Sequence, residues 1–365
     1  MSDRTGNAEQ VTALSQKGYQ LLKEGSYDQA VRRFEEVLGI DPQNSYALVG
    51  LGDIARKRGD QREAVRRYTE CLEHDPENAF ALFGLADSYR SLRKYHDALK
   101  VWERYLEHDS SNVTVLTRVA DAYRKVRQKR RSKELYERTL EIEPDNPYAL
   151  IGLGHLHYDF REYDDALRYW LRMYEVAGDR VDIRVLTSIG NCYRKLKRFK
   201  TAIPYFEQAL EIEPDNFYAL FGLADCYRGL NDSETSLAYW NRILENDPAN
   251  KVILTRAGDA HRSLGELSEA EQCYRKALDI GEDLYARLGL AIVARNRDEI
   301  AQALDMLETL REQEPDNHRV YVELANTYAQ SGNPRDAVKV LSSFNARGKP
   351  NQYVEELIDR YRRDG

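Results

Sequence analysis

Apolar residues recur along this chain at i, i+3, i+4 and i+7, the spacing of one helix face, and the pattern repeats at a longer interval. Small residues fall at Ala30, Ala64, Ala98, Ser132, Ala166, Ala202, Ser236, Ala270, Ala303 and Ala337. Four residues after each comes a large apolar one: Phe34, Tyr68, Trp102, Tyr136, Trp170, Phe206, Trp240, Tyr274, Leu307 and Leu341. Nearly every step is 34 residues, with one of 36 and one of 33. Ahead of each small residue lies a Leu-x-x-Leu-Gly/Ala-x-x-Tyr pattern, as in Leu82, Leu85, Ala86 and Tyr89. A short polar gap such as Arg93-Lys94-Tyr95 separates the two halves and predicts a helix–turn–helix unit. Closures such as Asp75-Pro-Glu-Asn78, Glu143-Pro-Asp-Asn146 and Glu213-Pro-Asp-Asn216 stop one helix and offer Asn or Asp to cap the next. Ala and Gly at the contact points let helices approach closely. Neither helix can bury its apolar stripe alone, so neighbouring units must stack.

This ladder resembles the tetratricopeptide repeat, whose period is 34 residues. Ten such repeats begin near Val11, Ser45, Ala79, Val113, Pro147, Ile183, Phe217, Lys251, Leu284 and His318, and cover residues 11–351. The last two drift most, with Arg287 where others have Leu and Ala294 where others have Tyr. Residues 1–10 are expected to be a flexible N-terminus. Residues 352–365, with Tyr353, Leu357 and Tyr361 at helical spacing, are expected to form a capping helix. The resemblance implies an all-α fold, a right-handed α-solenoid superhelix in which the first helix of each repeat lines a concave groove.

A second period lies inside the first. Residues 78–92 and 216–230 agree at eleven of fifteen positions, 138 residues apart. From residue 79 the repeats alternate. One type has an early aromatic, Ala-Leu-x-Gly-Leu and a later Trp (Phe80, Gly84, Trp102; Tyr148, Gly152, Trp170; Tyr218, Gly222, Trp240). The other reads Leu116-Thr-Arg118, Leu186-Thr-Ser188 or Leu254-Thr-Arg256. Duplication of a two-repeat segment accounts for this, and so does a ligand or self-assembly that itself repeats. Two units advance about 20 Å, which about six extended residues cover.

In the family this chain resembles, groove-facing side chains come from the second, fifth, ninth, twelfth and thirteenth places of each repeat. Carried over here, the ninth place holds Asp53, Asp87, Asp121, His155, Asn191, Asp225, Asp259, Ile292 and Asn326. The twelfth holds Arg56, Arg90, Arg124, Tyr158, Arg194, Arg228, Arg262 and Arg295. The second supplies Tyr46, Phe80, Tyr148, Tyr218 and Tyr285, and the fifth alternates Phe83 or Phe221 with Thr117, Thr187 and Thr255. Asp and Arg three apart share a helix face and can pair, so the plain alternative is a solubilising ion-pair ladder. Exposed pairs contribute only about 0–1 kcal/mol each, and a guanidinium fork also suits carbonyls, carboxylates and phosphates. A protein or peptide partner in the groove is therefore expected. Family members that grip chaperone tails carry Lys at the fifth place; Ser15, Val49, Phe83 and Thr117 stand there, which disfavours that activity.

Charge is segregated along the edges. The run Lys125, Arg127, Lys129, Arg130, Arg131 and Lys133, with Arg124, puts seven cations in ten residues, and Lys195, Lys197, Arg198 and Lys200 continue after Arg194. Turns between repeats are acidic. Both signs complement helix dipoles, and a basic edge also suits an anionic partner. The net charge of −7 argues against nucleic acid as the main ligand.

Enzymatic chemistry is not expected. Cys71, Cys192, Cys226 and Cys273 lack CxxC spacing and suit packing; no metal or cofactor is implied. Gly50-Leu-Gly52-Asp-Ile-Ala55 matches a dinucleotide pattern but sits inside a predicted helix, not after a strand. His157 and His261 take the slot of a packing Tyr, while His155 points to the groove. No apolar run approaches the roughly 18 residues of a membrane span. The start, MSDRTGNAEQ, has no secretory h-region, so a cytoplasmic interaction scaffold is expected. The alternative is a self-assembling structural protein.

Overall fold

The computed structural model describes residues 2–348 and 351–363. Lys349, Pro350, Asp364 and Gly365, assigned above to the last repeat and the cap, lie outside the described residues. Among the described residues there is no β-strand, and no helix is long and apolar enough to cross a membrane. The chain divides into two compact units, one ending at Arg180 and one beginning at Val181.

Each unit stacks five helical hairpins. In the N-terminal unit they are α1 (Ser2–Lys23) with α2 (Tyr27–Ile40), α3 (Ser45–Lys57) with α4 (Gln61–His74), α5 (Ala79–Ser91) with α6 (Tyr95–His108), α7 (Val113–Lys125) with α8 (Lys129–Ile142), and α9 (Pro147–Asp159) with α10 (Tyr163–Ala177). In the C-terminal unit they are α11 (Ile183–Lys195) with α12 (Phe199–Ile212), α13 (Phe217–Gly229) with α14 (Ser233–Asn246), α15 (Lys251–Ser263) with α16 (Leu267–Ile280), α17 (Leu284–Asn296) with α18 (Ile300–Gln313), and α19 (His318–Gln330) with α20 (Pro334–Asn345). A last helix, α21 (Gln352–Arg363), packs on α19 and α20.

The expected repeat starts from Ser45 to His318 coincide with the first residues of the odd-numbered helices, because the closures act as anticipated. Asn78 Oδ1 accepts the Ala81 N–H at 3.0 Å while its amide donates to Asp75 at 2.9 Å. Asn146 and Asn216 repeat the arrangement with Glu143 and Glu213. Each cap thus satisfies a helix N-terminal donor and ties down the turn before it. The fifth repeat, which lacks the closing Pro, ends in a 3-10 turn at Gly178–Arg180 instead, and the boundary between the units falls there.

Both ends of the described chain are helical. Residues 2–10, expected to be flexible, extend α1 as helix; extending an existing helix avoids the cost of nucleating one. In the cap, Tyr353 is exposed, and Val354, Leu357, Ile358 and Tyr361 form the buried stripe.

The period-34 ladder is the core. The small residues of the second helices and the large residues four places on are buried, and Phe34, Tyr68, Phe206 and Tyr274 each lie against glycines of both flanking first helices. Where that residue is Phe or Tyr, the next repeat receives it with glycine at its sixth place. A Cβ on Gly84 would lie 2.3 Å from Tyr68 Cζ, and one on Gly222 2.3 Å from Phe206 Cζ. Where it is Trp, the sixth place of the next repeat holds Arg118, Ser188 or Arg256. The glycine junctions α3/α5, α7/α9, α11/α13 and α15/α17 bring first helices into close contact, while α5/α7 and α13/α15, without glycine, are looser. The two-repeat period is therefore an alternation of tight and loose junctions. Gly50 and Gly52, the would-be dinucleotide motif, are holes of this kind, for Phe34 and Tyr68.

Candidate functional site

Because neighbouring first helices pack on one another, they form the inner face of each unit, and their polar places line it. The second-place aromatics stand out from this face: Tyr46, Phe80, Tyr148 and Tyr218 are 70%, 77%, 73% and 66% exposed. Tyr285 is also exposed and lies under Arg319, 5.4 Å away. Phe83 and Phe221 are half-buried beneath guanidinium groups, Arg118 at 4.9 Å and Arg194 at 5.7 Å from the ring centroids. Thr117, Thr187 and Thr255 have little exposed surface, and Thr117 lines the cavity beside Arg118 and Tyr148. Their hydroxyls bond back to carbonyls one turn earlier, Val113, Ile183 and Lys251, as threonine inside a helix commonly does.

The ninth and twelfth places pair within each helix as expected. Asp53–Arg56 lie 3.3 Å apart, Asp87–Arg90 2.9 Å, Asp121–Arg124 2.8 Å and Asp259–Arg262 3.5 Å, and Asn191 Oδ1 accepts from Arg194 at 3.0 Å. The ladder also runs between repeats, which spacing alone does not reveal. Arg56 reaches Asp87 at 3.0 Å, Arg194 reaches Asp225, which Arg228 also holds, and Arg124 reaches Asp159 at 2.6 Å because His155 has replaced the usual Asp. The arginines differ in exposure, with Arg56 and Arg262 intermediate at 28% and 26%. Arg124 and Arg194 keep only 13% and 14% of their side chains exposed and are structural links. Arg90 and Arg228, with 38% and 48%, face solvent.

Burial alone would raise the Asp87 and Asp225 carboxyls. The surrounding arginines, Arg118 and Arg90 at the first and Arg228 and Arg194 at the second, more than reverse this and hold both below the usual carboxylate range. His155 stands exposed on the inner face, edge-on to Trp170 with centroids 4.8 Å apart. Desolvation against the concave wall and then the Arg124 cation lower its pKa. Arg90, Arg118, Asp121, Tyr148 and His155 share a cavity of about 630 Å³ in the N-terminal unit. Arg118 was not among the anticipated contact residues; its place as the substitute for a junction glycine was the available signal.

The remaining candidates are structural. Buried His157 stacks on Tyr169 and its Nδ1 lies 2.8 Å from a Glu162 carboxylate oxygen, and His261 Nδ1 lies 2.6 Å from Glu266. Both clasp the helix–helix turn. Asp165, near His157 and Glu162, pairs with Arg168, and Glu162 with Lys129. Cys71, Cys192 and Cys226 are buried, and burial pushes the Cys226 thiol up to about 12, which makes it inert at neutral pH. On the basic edge Lys129, Arg130, Arg131 and Lys133 pair with Glu162, Glu134 and Glu137. Among the described residues, Lys125, Arg127, Lys195, Lys197 and Lys200 have no carboxylate within 4.0 Å, and Arg127 lies over Phe160.

Family profiles described as tetratricopeptide repeat match most of the chain. One matches residues 49–113, 117–180 and 227–285, more than half of it by itself; others match 21–64 and 294–358, 183–216, and 205–238. Among curated proteins no relative matches. The solved structure of PilW, a widely conserved type IV pilus biogenesis factor, is similar with a TM-score of 0.51 at 17% identity, over 57% of this chain and 96% of that one. Pseudomonas aeruginosa pilF gives 0.49 at 21% identity over 59% and 96%. YrrB, a TPR protein with an unusual peptide-binding site, gives 0.45 at 19% over 51% and 95%. At such identities the likeness to PilW shows the fold alone.

Proposed function

The chain belongs to the tetratricopeptide repeat family, and from that premise we propose that it is a non-enzymatic interaction scaffold that binds an extended segment of a partner protein along its inner face. Membership supports a protein-interaction role. The observation that carries the finer reading is the row of exposed second-place aromatics, Tyr46, Phe80 and Tyr148 in one unit and Tyr218 and Tyr285 in the other. Large aromatic side chains left mostly in water add little burial to the fold, and they are the residues from which binding hot spots are built. Arg90 and Arg228 stand beside them with donors left for carbonyls or carboxylates.

Site-directed photo-crosslinking tests this. Benzoylphenylalanine would replace Phe80 or Tyr148, and as a control the exposed Arg138 on the second helix α8. Adducts with one partner from the first two positions and none from the control are expected. Equal adducts from Arg138 would sink the proposal, and an adduct of two copies of this chain would favour self-assembly in its place.

A further inference from the structure

Asp87 is buried and accepts from three arginines on three successive first helices. Arg56 Nη1 on α3 donates at 3.0 Å, Arg90 on α5 donates from Nε and Nη2 at 3.0 and 2.9 Å, and Arg118 on α7 donates from Nη1. Arg56 also touches Asp53 at 3.3 Å, so three cations face two carboxylates. The matching node of the C-terminal unit is complete with fewer. Asp225 accepts from Arg194 and Arg228, and among the described residues Arg256, in the place of Arg118, has no carboxylate within 4.0 Å. The two aspartates are comparably shielded, with 11% and 14% of their side chains exposed. Two arginines therefore suffice to hold such an aspartate, and Arg118 is a further donor at Asp87; both nodes keep one net positive charge, because Asn191 stands where Asp53 stands in the N-terminal unit.

Its surroundings hold it without consuming it. The guanidinium lies over the Phe83 ring and spends one of its five donors on Asp87. Arg118 and Arg90 open onto the cavity of about 630 Å³ that Tyr148 flanks. The carboxylates lining that cavity are engaged elsewhere: Asp121 holds Arg124 at 2.8 Å, and Glu143 accepts the Asn146 amide at 2.6 Å.

We propose that Arg118 and Arg90 form a subsite for an acidic side chain of the bound segment. The proposal rests on the groove reading above and narrows the partner to one that places a carboxylate here. The planar forks of both arginines suit bidentate recognition of such a group.

The test uses fluorescein-labelled decapeptides alternating Glu with Ala or Lys with Ala, titrated by fluorescence anisotropy against the full chain at low salt. Arg118→Ala leaves Asp87 with Arg56 and Arg90, the arrangement that Asp225 already tolerates, so the variant folds. The acidic peptide is expected to bind about tenfold tighter than the basic one and to lose about tenfold with Arg118→Ala. Arg256→Ala, the control, changes nothing, and Arg118→Lys falls between because it keeps the charge and loses the fork. Equal binding of the two peptides, no detectable binding of the acidic one, or indifference to Arg118→Ala overturns the proposal. If both peptides bind alike and both weaken with Tyr148→Ser, the groove reading stands while the acidic subsite falls.

Discussion

Tyr68, on the second helix of one repeat, occupies the space that a side chain on Gly84 of the next repeat would need: a Cβ there would lie 2.3 Å from the ring's Cζ. Phe206 and Gly222 repeat the relationship in the other unit. This pairing accounts for the glycine that residues 78–92 and 216–230 share at the sixth place of their repeats. It gives a sign test as well. In an open helix Gly→Ala gains about 1 kcal/mol, whereas Gly222→Ala here is expected to lose about 1–3 kcal/mol by overpacking. Urea denaturation of the single variant measures this, and a stabilised variant would show that the hole is not needed.

The turn after α11 places Lys197 at φ 58°, a left-handed position that Gly25, Gly59, Gly265 and Gly332 fill in other repeats. The Lys197 N–H reaches Arg194 O at 3.0 Å and the Arg198 N–H reaches Tyr193 O at 2.9 Å, so the backbone here is fixed. An L side chain pays about 1–2 kcal/mol for that conformation. Lys197→Gly is therefore expected to raise stability by about 1 kcal/mol in a thermal melt. An unchanged or lower melting temperature would mean that the lysine makes a compensating contact.

Asp87 ties three repeats together, so its protonation state matters to stability. Its pKa is held below the usual range, so its contribution is present above the unfolded-state value of about 3.9. It is lost as the pH falls through the lower folded-state value. Asp87→Asn should cost roughly 1–3 kcal/mol at neutral pH, because charged donors lose their acceptor. It should also flatten the fall of the urea midpoint between about pH 5 and about pH 2. A variant with the wild-type acid slope would place the titrating group elsewhere.

The hairpins were legible in the sequence because each is specified locally. The capping Asn, the Pro before it and the apolar stripe all lie within one repeat, and helix starts such as Ser45, Ala79 and Phe217 fall where those signals put them. What was not legible is what one repeat does to the next. The bridge from Arg56 to Asp87 spans 31 residues and depends on the stacking distance between first helices, which periodicity does not supply. Thr117 lines the cavity, yet its hydroxyl is spent on the carbonyl one turn earlier, which its place in the repeat does not reveal. Arg124 and Arg90 looked equivalent, and only the inter-repeat partner of Arg124 separates a structural arginine from an available one.

If the exposed aromatics of the inner face read a partner segment, their removal abolishes tight binding of that segment. Selection of displayed random dodecapeptides on the wild-type chain, followed by affinity measurement on a Phe80→Ser, Tyr148→Ser, Tyr218→Ser variant of unchanged helicity, tests it most directly. Enriched peptides are expected to lose at least about tenfold in affinity on the variant, since hot-spot truncations cost about 2 kcal/mol or more. Peptides that bind the variant as tightly as the wild type would contradict it.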